Sequence, residues 1–191
     1  MTLSTTAGAF VRRLALASLL IAGLTGASDP PTAIKKWEAL VAAAGSAYEA
    51  NRPVQAQQLL EEAVKMTKPG TEGRVAVLNN LAIVLEANGF MDTAEQLYGQ
   101  VIGLWAELLG PSHTNVSRTL GNLGDFHHRR SQLEEAEEAY TVAIATAQQA
   151  KGADAAEVLR ALYDNYSRLL NDMGRTEDAD AARLKAFLPG N

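Results

Sequence analysis

From residue 37 onward, apolar and small side chains recur at i, i+3, i+4 and i+7, the spacing that places them on one face of an α-helix. The pattern also repeats at long range. The runs Leu78-Asn-Asn-Leu-Ala-Ile-Val-Leu85 and Ala94-Glu-Gln-Leu-Tyr98 return 42 residues later as Leu120-Gly-Asn-Leu-Gly-Asp-Phe-His127 and Ala136-Glu-Glu-Ala-Tyr140. A further copy, Tyr163-Asp-Asn-Tyr-Ser-Arg-Leu-Leu170 with Ala179, follows at an offset of 43. A degenerate first copy runs Leu40-Val-Ala-Ala-Ala-Gly-Ser-Ala47 with Ala56 and Leu60. Small residues therefore stand at 56, 94, 136 and 179. A period of this size marks supersecondary units that bury their apolar faces by stacking, because no single unit can do so alone.

Each unit reads as two helices joined by a polar turn: Asn88-Gly89, Arg130-Ser131 or Met173-Gly174-Arg175. Gly89 and Gly174 suit the left-handed residue that ends a helix. Ser131 with Glu134 has the form of a capping box that would start the next helix. The small alanine of each second helix marks a close approach, with bulky Tyr98 or Tyr140 four residues on.

These residues resemble the tetratricopeptide repeat, whose pattern W-x2-L-G-x2-Y…A-x3-F fits each copy with substitutions at the large positions. The 42-residue spacing is similar to the kinesin-light-chain type of repeat, in which LxNLA opens a unit and LGPxH closes it; here Leu109-Gly110-Pro111-Ser112-His113 supplies the closing turn. Arg183 stands where the fourth copy should present an aromatic. The resemblance implies an all-α fold, a right-handed α-solenoid of about four helix-turn-helix repeats over 37–188, at about 37–74, 75–116, 117–159 and 160–188. It further implies a groove lined by the first helices that holds a peptide segment or a partner subunit. Carried over position by position, the ligand-facing residues are Asn80, Asn122 and Asn165, with Arg118. One and two turns further along come Asp125, His128, Arg129 and Arg168. An asparagine amide both donates and accepts, so a row of them can bond a peptide backbone, and an arginine can take a carboxylate. The alternative for the asparagines is a bond to the neighbouring repeat that stabilises stacking. Ala42 and Ala76 occupy places where a full carboxylate clamp would need a polar or basic group.

Composition narrows the chemistry. The 191 residues suit one domain or one repeat array, and a 47% hydrophobic content rich in alanine and leucine favours helix. Cysteine is absent, which excludes disulfides, thiolate metal sites and cysteine nucleophiles. The 22 acidic residues against 17 basic ones leave no basic surface for nucleic-acid phosphates, so no nucleic-acid partner is expected. His113, His127 and His128 are the only candidates for a metal ligand or general base. His127 and His128 are neighbours on a helix and point about 100° apart, which suits no shared ion; His127 is expected between helices and His113 in the interrepeat turn. No phosphate loop or nucleophile elbow exists. No enzyme activity, metal or cofactor is expected. Trp37 and Trp105 are read as packing residues, and Glu134–Glu138 as a solvated face. Gly99 and Gly103 lie inside a helix, where they either loosen it or admit a neighbouring helix.

Residues 1–27 carry Arg12 and Arg13, no acidic group, an apolar run from Leu14 to Leu24, and small residues at Thr25-Gly26-Ala27. That is the order of a secretory signal peptide, with cleavage expected after Ala27 and a linker over 28–36. The apolar run is shorter than the about 20 residues a membrane span needs, so membrane attachment would come only through an uncleaved signal segment. Position 27 is alanine, so a lipoprotein cysteine is excluded. The expectation is a protein exported across the inner membrane to a bacterial periplasm, acting as an adaptor or assembly factor. The alternative is a structural subunit of a larger complex or homo-oligomer that uses its terminal repeats.

Overall fold

The computed structural model describes residues 36–187. The expected signal peptide and all of the linker except Lys36 lie outside the described residues. Among them there are eight helices and no strand: α1 Lys36–Glu49, α2 Pro53–Met66, α3 Glu72–Ala87, α4 Met91–Leu109, α5 Thr114–Arg129, α6 Leu133–Gln149, α7 Ala155–Asp172 and α8 Thr176–Phe187. The fold is all-α, and the helices follow one another as four helix-turn-helix hairpins. The expected boundaries at 75, 117 and 160 fall inside α3, α5 and α7.

One turn geometry joins the two helices of every hairpin. Asn51, Gly89, Ser131 and Gly174 all have positive φ, at 56°, 85°, 60° and 77°. Just after each, a backbone N–H reaches back over five residues: Arg52 to Ala47, Phe90 to Leu85, Gln132 to His127, and Arg175 to Leu170, at 2.8 to 3.0 Å. This pattern satisfies the orphan carbonyls at the end of the first helix. Five residues beyond the left-handed position stand Ala56, Ala94, Ala136 and Ala179, each fully buried at 0% exposure. The Ser131–Glu134 capping box does not form. Ser131 is the left-handed residue, and Gln132 caps α6 without a side-chain bond. Left-handed backbone costs an L residue roughly 1–2 kcal/mol, and glycine's looser unfolded chain offsets part of that. Ser131→Gly is therefore expected to raise stability by about 0.5 kcal/mol, read as a higher urea midpoint at unchanged slope.

Caps set the other helix ends. Pro53 opens α2, where its missing N–H is not needed. Thr71 Oγ1 accepts from the Arg74 N–H at the start of α3. In the interrepeat turn Gly110 takes φ 94°, and His113 Nδ1 accepts from the Asn115 N–H to open α5. His113 thus has the turn position expected of it, in a capping role.

Among the described residues, those up to 97 form one compact unit and those from 98 on a second. In the first, Val41, Ala44 and Ala47 of α1 pack with Ala56, Leu60 and Ala63 of α2 and with Val77 and Val84 of α3. Trp37 packs against this cluster and over Gly73, where an added Cβ would stand 3.0 Å from the indole. In the second, Ala136, Tyr140, Ala143 and Ile144 of α6 join Val158, Leu162, Leu169 and Leu170 of α7 and the alanines of α8. Tyr98, Val101 and Trp105 of α4 are fully buried, as the repeat pattern requires. Gly99 and Gly103, by contrast, meet nothing within 4 Å of an added Cβ among the described residues, so no described helix approaches them. Replacing either by alanine should stabilise by about 1 kcal/mol through helix propensity alone, measured as a rise in the thermal midpoint of helicity.

Candidate functional site

The second unit brings the first helices of the last two hairpins, α5 and α7, side by side. Most of the expected groove residues lie on these two helices, and a chain of polar contacts links them. Asp125 is buried in the middle of α5, and its carboxylate accepts from the Tyr140 hydroxyl of α6 and from Asn165 Nδ2 of α7, the latter at 3.3 Å. Asn165 Oδ1 in turn accepts from Arg168 Nη1 at 3.1 Å. An exposed guanidinium is thus held through an amide by a buried carboxylate. The geometry carries force because a buried carboxylate must be bonded from several sides to stay charged in the interior.

Toward the start of both helices, Arg118 Nη2 makes a 2.8 Å ion pair with Asp154, which also accepts from Thr114 Oγ1. Toward their ends, His128 Nε2 lies 2.8 Å from Asp172 Oδ2. Arg118 and His128 therefore bridge α5 to the start and end of α7. Arg118 is mostly covered, and its buried Nε has no partner among the described residues. Asn122 is half-buried and Arg129 is exposed; each has bonding partners of its own. Arg168 is exposed at the end of the Asp125–Asn165 chain. For Asn165, the observed contact is the cross-repeat one, made to a side chain rather than to backbone.

Asn80 differs. It lies on α3 in the first unit at 1% exposure, and its Oδ1 has no hydrogen-bond partner among the described residues. Ala76, one turn earlier, is buried, while Ala42 on α1 is exposed. Accessible polar groups at the expected positions therefore belong to α5 and α7.

Several polar partners were not singled out from the sequence. Asp172 lies 44 residues beyond His128, close to one repeat period, whereas Asp154 lies 36 beyond Arg118, in the segment before α7. For Asp172 the period is the signal in the sequence, since residues about one period apart on successive first helices are neighbours. On the second helices, Glu137 accepts from Tyr166 OH at 2.9 Å and from Arg175 Nη1 at 2.6 Å. Glu137 is thus an exception to the solvated acidic run. Partial burial, and then the Glu137 carboxylate, push the Tyr166 hydroxyl above its usual range, while the bonds to Glu137 and Asp178 raise Arg175. His127 is buried, edge-on to the Phe126 ring at 5.3 Å and bonded to Gln132, so it has the interior position expected of it. Among the described residues no group of three or more His, Asp or Glu could hold a metal ion, and no helix is long and apolar enough to cross a membrane.

Residues 74–149 match the family model of the tetratricopeptide repeat. Residues 74–149 therefore carry tetratricopeptide repeats. The match covers the middle two hairpins, where the internal repeat is strongest. Solved structures extend the likeness of fold. The crystal structure of BtubC (BKLC) from P. vanneervenii superimposes with a TM-score of 0.68 at 19% identity, covering 94% of this chain and 72% of that one. A putative kinesin light chain from Podosopora anserina with nearly identical TPR-like repeats gives 0.52 at 18% identity, covering 79% of this chain and 93% of that one. Bacillus thuringiensis PlcR, crystallised with the peptide PapR7 and DNA, gives 0.67 at 15% identity, covering 93% of this chain and 64% of that one. No curated protein matches the sequence. Tetratricopeptide repeats typically serve as non-catalytic scaffolds for protein–protein interaction, and the kinesin-light-chain character read from the spacing agrees with these neighbours.

Proposed function

We propose that this tetratricopeptide repeat chain is an exported, non-catalytic interaction module that holds a peptide segment or a partner subunit against α5 and α7. The observation that carries the reading is the Asp125–Asn165–Arg168 chain, which fixes an exposed cation and an amide against α5, the helix that also carries half-buried Asn122. Such a surface binds a peptide's carbonyls and carboxylates with little loss of side-chain freedom, because the binding groups are already held in place. The peptide named in the PlcR complex supports the class of ligand. Export rests on Arg12 and Arg13, the apolar run after them and the small residues before Ser28; the compartment that follows is a bacterial periplasm. The partner is a protein or peptide, with no nucleic acid and no cofactor.

The test is a pull-down with the full chain from an extract of its own source, beside an Asn122→Ala, Arg168→Ala variant checked for helicity. These positions are chosen over Asn80, whose burial would mix folding with binding. A partner retained by the wild type and lost by the folded variant is expected. Equal capture by both would overturn the assignment of this face.

A further inference from the structure

The last helix is built inside out. α8 buries only Ala179, Ala182 and Ala186, while Leu184 and Phe187 stand 65% and 72% exposed, the two most exposed large apolar side chains among the described residues. The other second helices do the reverse: α2 buries Leu60, α4 buries Tyr98 and Trp105, and α6 buries Tyr140 and Ile144. A helix that belongs wholly to its own domain turns its large apolar stripe inward. One that turns leucine and phenylalanine outward, three residues apart, presents a surface for a partner.

The charges on α8 point to which partner. Glu177, Asp178 and Asp180 occupy its first half, Arg183 and Lys185 its second. Asp178 is bonded by Arg175 and Lys185 lies over the Tyr163 ring of its own chain, so Asp180 and Arg183 carry the pattern that faces outward. Two such helices laid antiparallel are complementary to each other, acidic half against basic half, which is the self-complementary contact that a two-fold dimer requires. We infer that α8 is a homodimerisation helix that pairs antiparallel with the α8 of a second copy, its two-fold axis passing near Ala181. In that register the two Leu184 side chains flank the axis, and Asp180 of each copy stands beside the second copy's Arg183. Within one chain these two groups meet only at 4.0 Å, with both side chains more than half exposed, so they are free to exchange partners. The same order of charges also suits the dipole of a single helix, and exchange of charges between copies separates the two causes.

The experiment is sedimentation equilibrium of the full chain from about 1 μM to about 1 mM, the range in which a small interface associates. The expected result is a monomer–dimer equilibrium whose dissociation constant rises at least about tenfold in Leu184→Glu. Asp180→Arg and Arg183→Asp should each weaken the dimer alone, and an equimolar mixture of the two should associate more strongly than either. The Asp180→Arg, Arg183→Asp double variant should recover self-association. A monomer throughout, a dimer indifferent to Leu184→Glu, or a mixture no stronger than its components each overturns the inference. All these positions are exposed, so circular dichroism should remain that of the wild type. The result is independent of the α5–α7 face, whose variants leave α8 intact.

Discussion

Tyr140→Ala is expected to destabilise the second unit by about 3–5 kcal/mol, a large share of the stability a domain of this size has. The ring is fully buried, lies within 3.0 Å of where a Cβ on Gly124 would stand, and is tilted toward Tyr166 at 6.2 Å between centroids. Truncation removes that packing and also leaves Asp125 without the hydroxyl it accepts from. Tyr140→Phe separates the two contributions. It keeps the ring and strips the donor from a buried carboxylate, at an expected cost of about 1–3 kcal/mol. Urea denaturation followed by helicity reads both. If Tyr140→Phe costs nothing while Tyr140→Ala costs the full amount, the Asp125 bond is irrelevant to stability and the polar chain to Arg168 begins at Asn165 instead.

That distinction bears on function, because Asp125 serves the core and the surface together. Its bond from Tyr140 fixes α6 to α5, and its bond from Asn165 fixes α7 to α5. Arg168 is then placed by the same contacts that stack the last two hairpins. Stacking and presentation of the cation cannot be separated at this point of the fold, so the choice posed in the sequence between asparagines that stack repeats and asparagines that bind ligand is not exclusive here. Asn165 stacks, and by stacking it positions Arg168.

The helices and their hairpin pairing were legible because the apolar spacing and the repeat offset report the same units at two length scales. Ser131 shows where local reading failed. Ser131-Gln132-Leu133-Glu134 has the letters of a capping box, but residue 131 also stands five before Ala136, as Gly89 and Gly174 stand five before Ala94 and Ala179. The repeat register fixes the turn, and the turn needs a left-handed residue there, so tertiary register overrode a local motif. Asn80 was less legible. Its place in the repeat equals that of Asn122 and Asn165, yet it is buried while they are not, since equivalence of position says nothing of what covers it. The Arg118–Asp154 pair was hidden for a further reason: Asp154 lies in the short segment before α7, outside the periodic pattern of the repeats.

The approach of α7 to α5 gives the other large effect. An alanine Cβ at Gly121 would stand 2.6 Å from Leu162 Cδ2, and Leu162 is itself buried, so the leucine has little room to retreat. Overpacking of this kind costs about 1–3 kcal/mol, against which alanine recovers about 1 kcal/mol of helix propensity. Gly121→Ala alone should therefore be neutral to destabilising by about 2 kcal/mol. Leu162→Ala alone should cost about 2–5 kcal/mol, chiefly by leaving a cavity. In that trimmed background the clash is gone and part of the cavity is filled, so Gly121→Ala should become stabilising by about 1 kcal/mol or more. The change of sign between the two backgrounds is the quantity to measure, as a double-mutant cycle from urea midpoints. A coupling near zero would mean that α5 and α7 are not held at this distance. The cross-repeat bonds that place Arg168 would then lose their structural basis, since Gly121 and Asp125 lie one turn apart on the same helix.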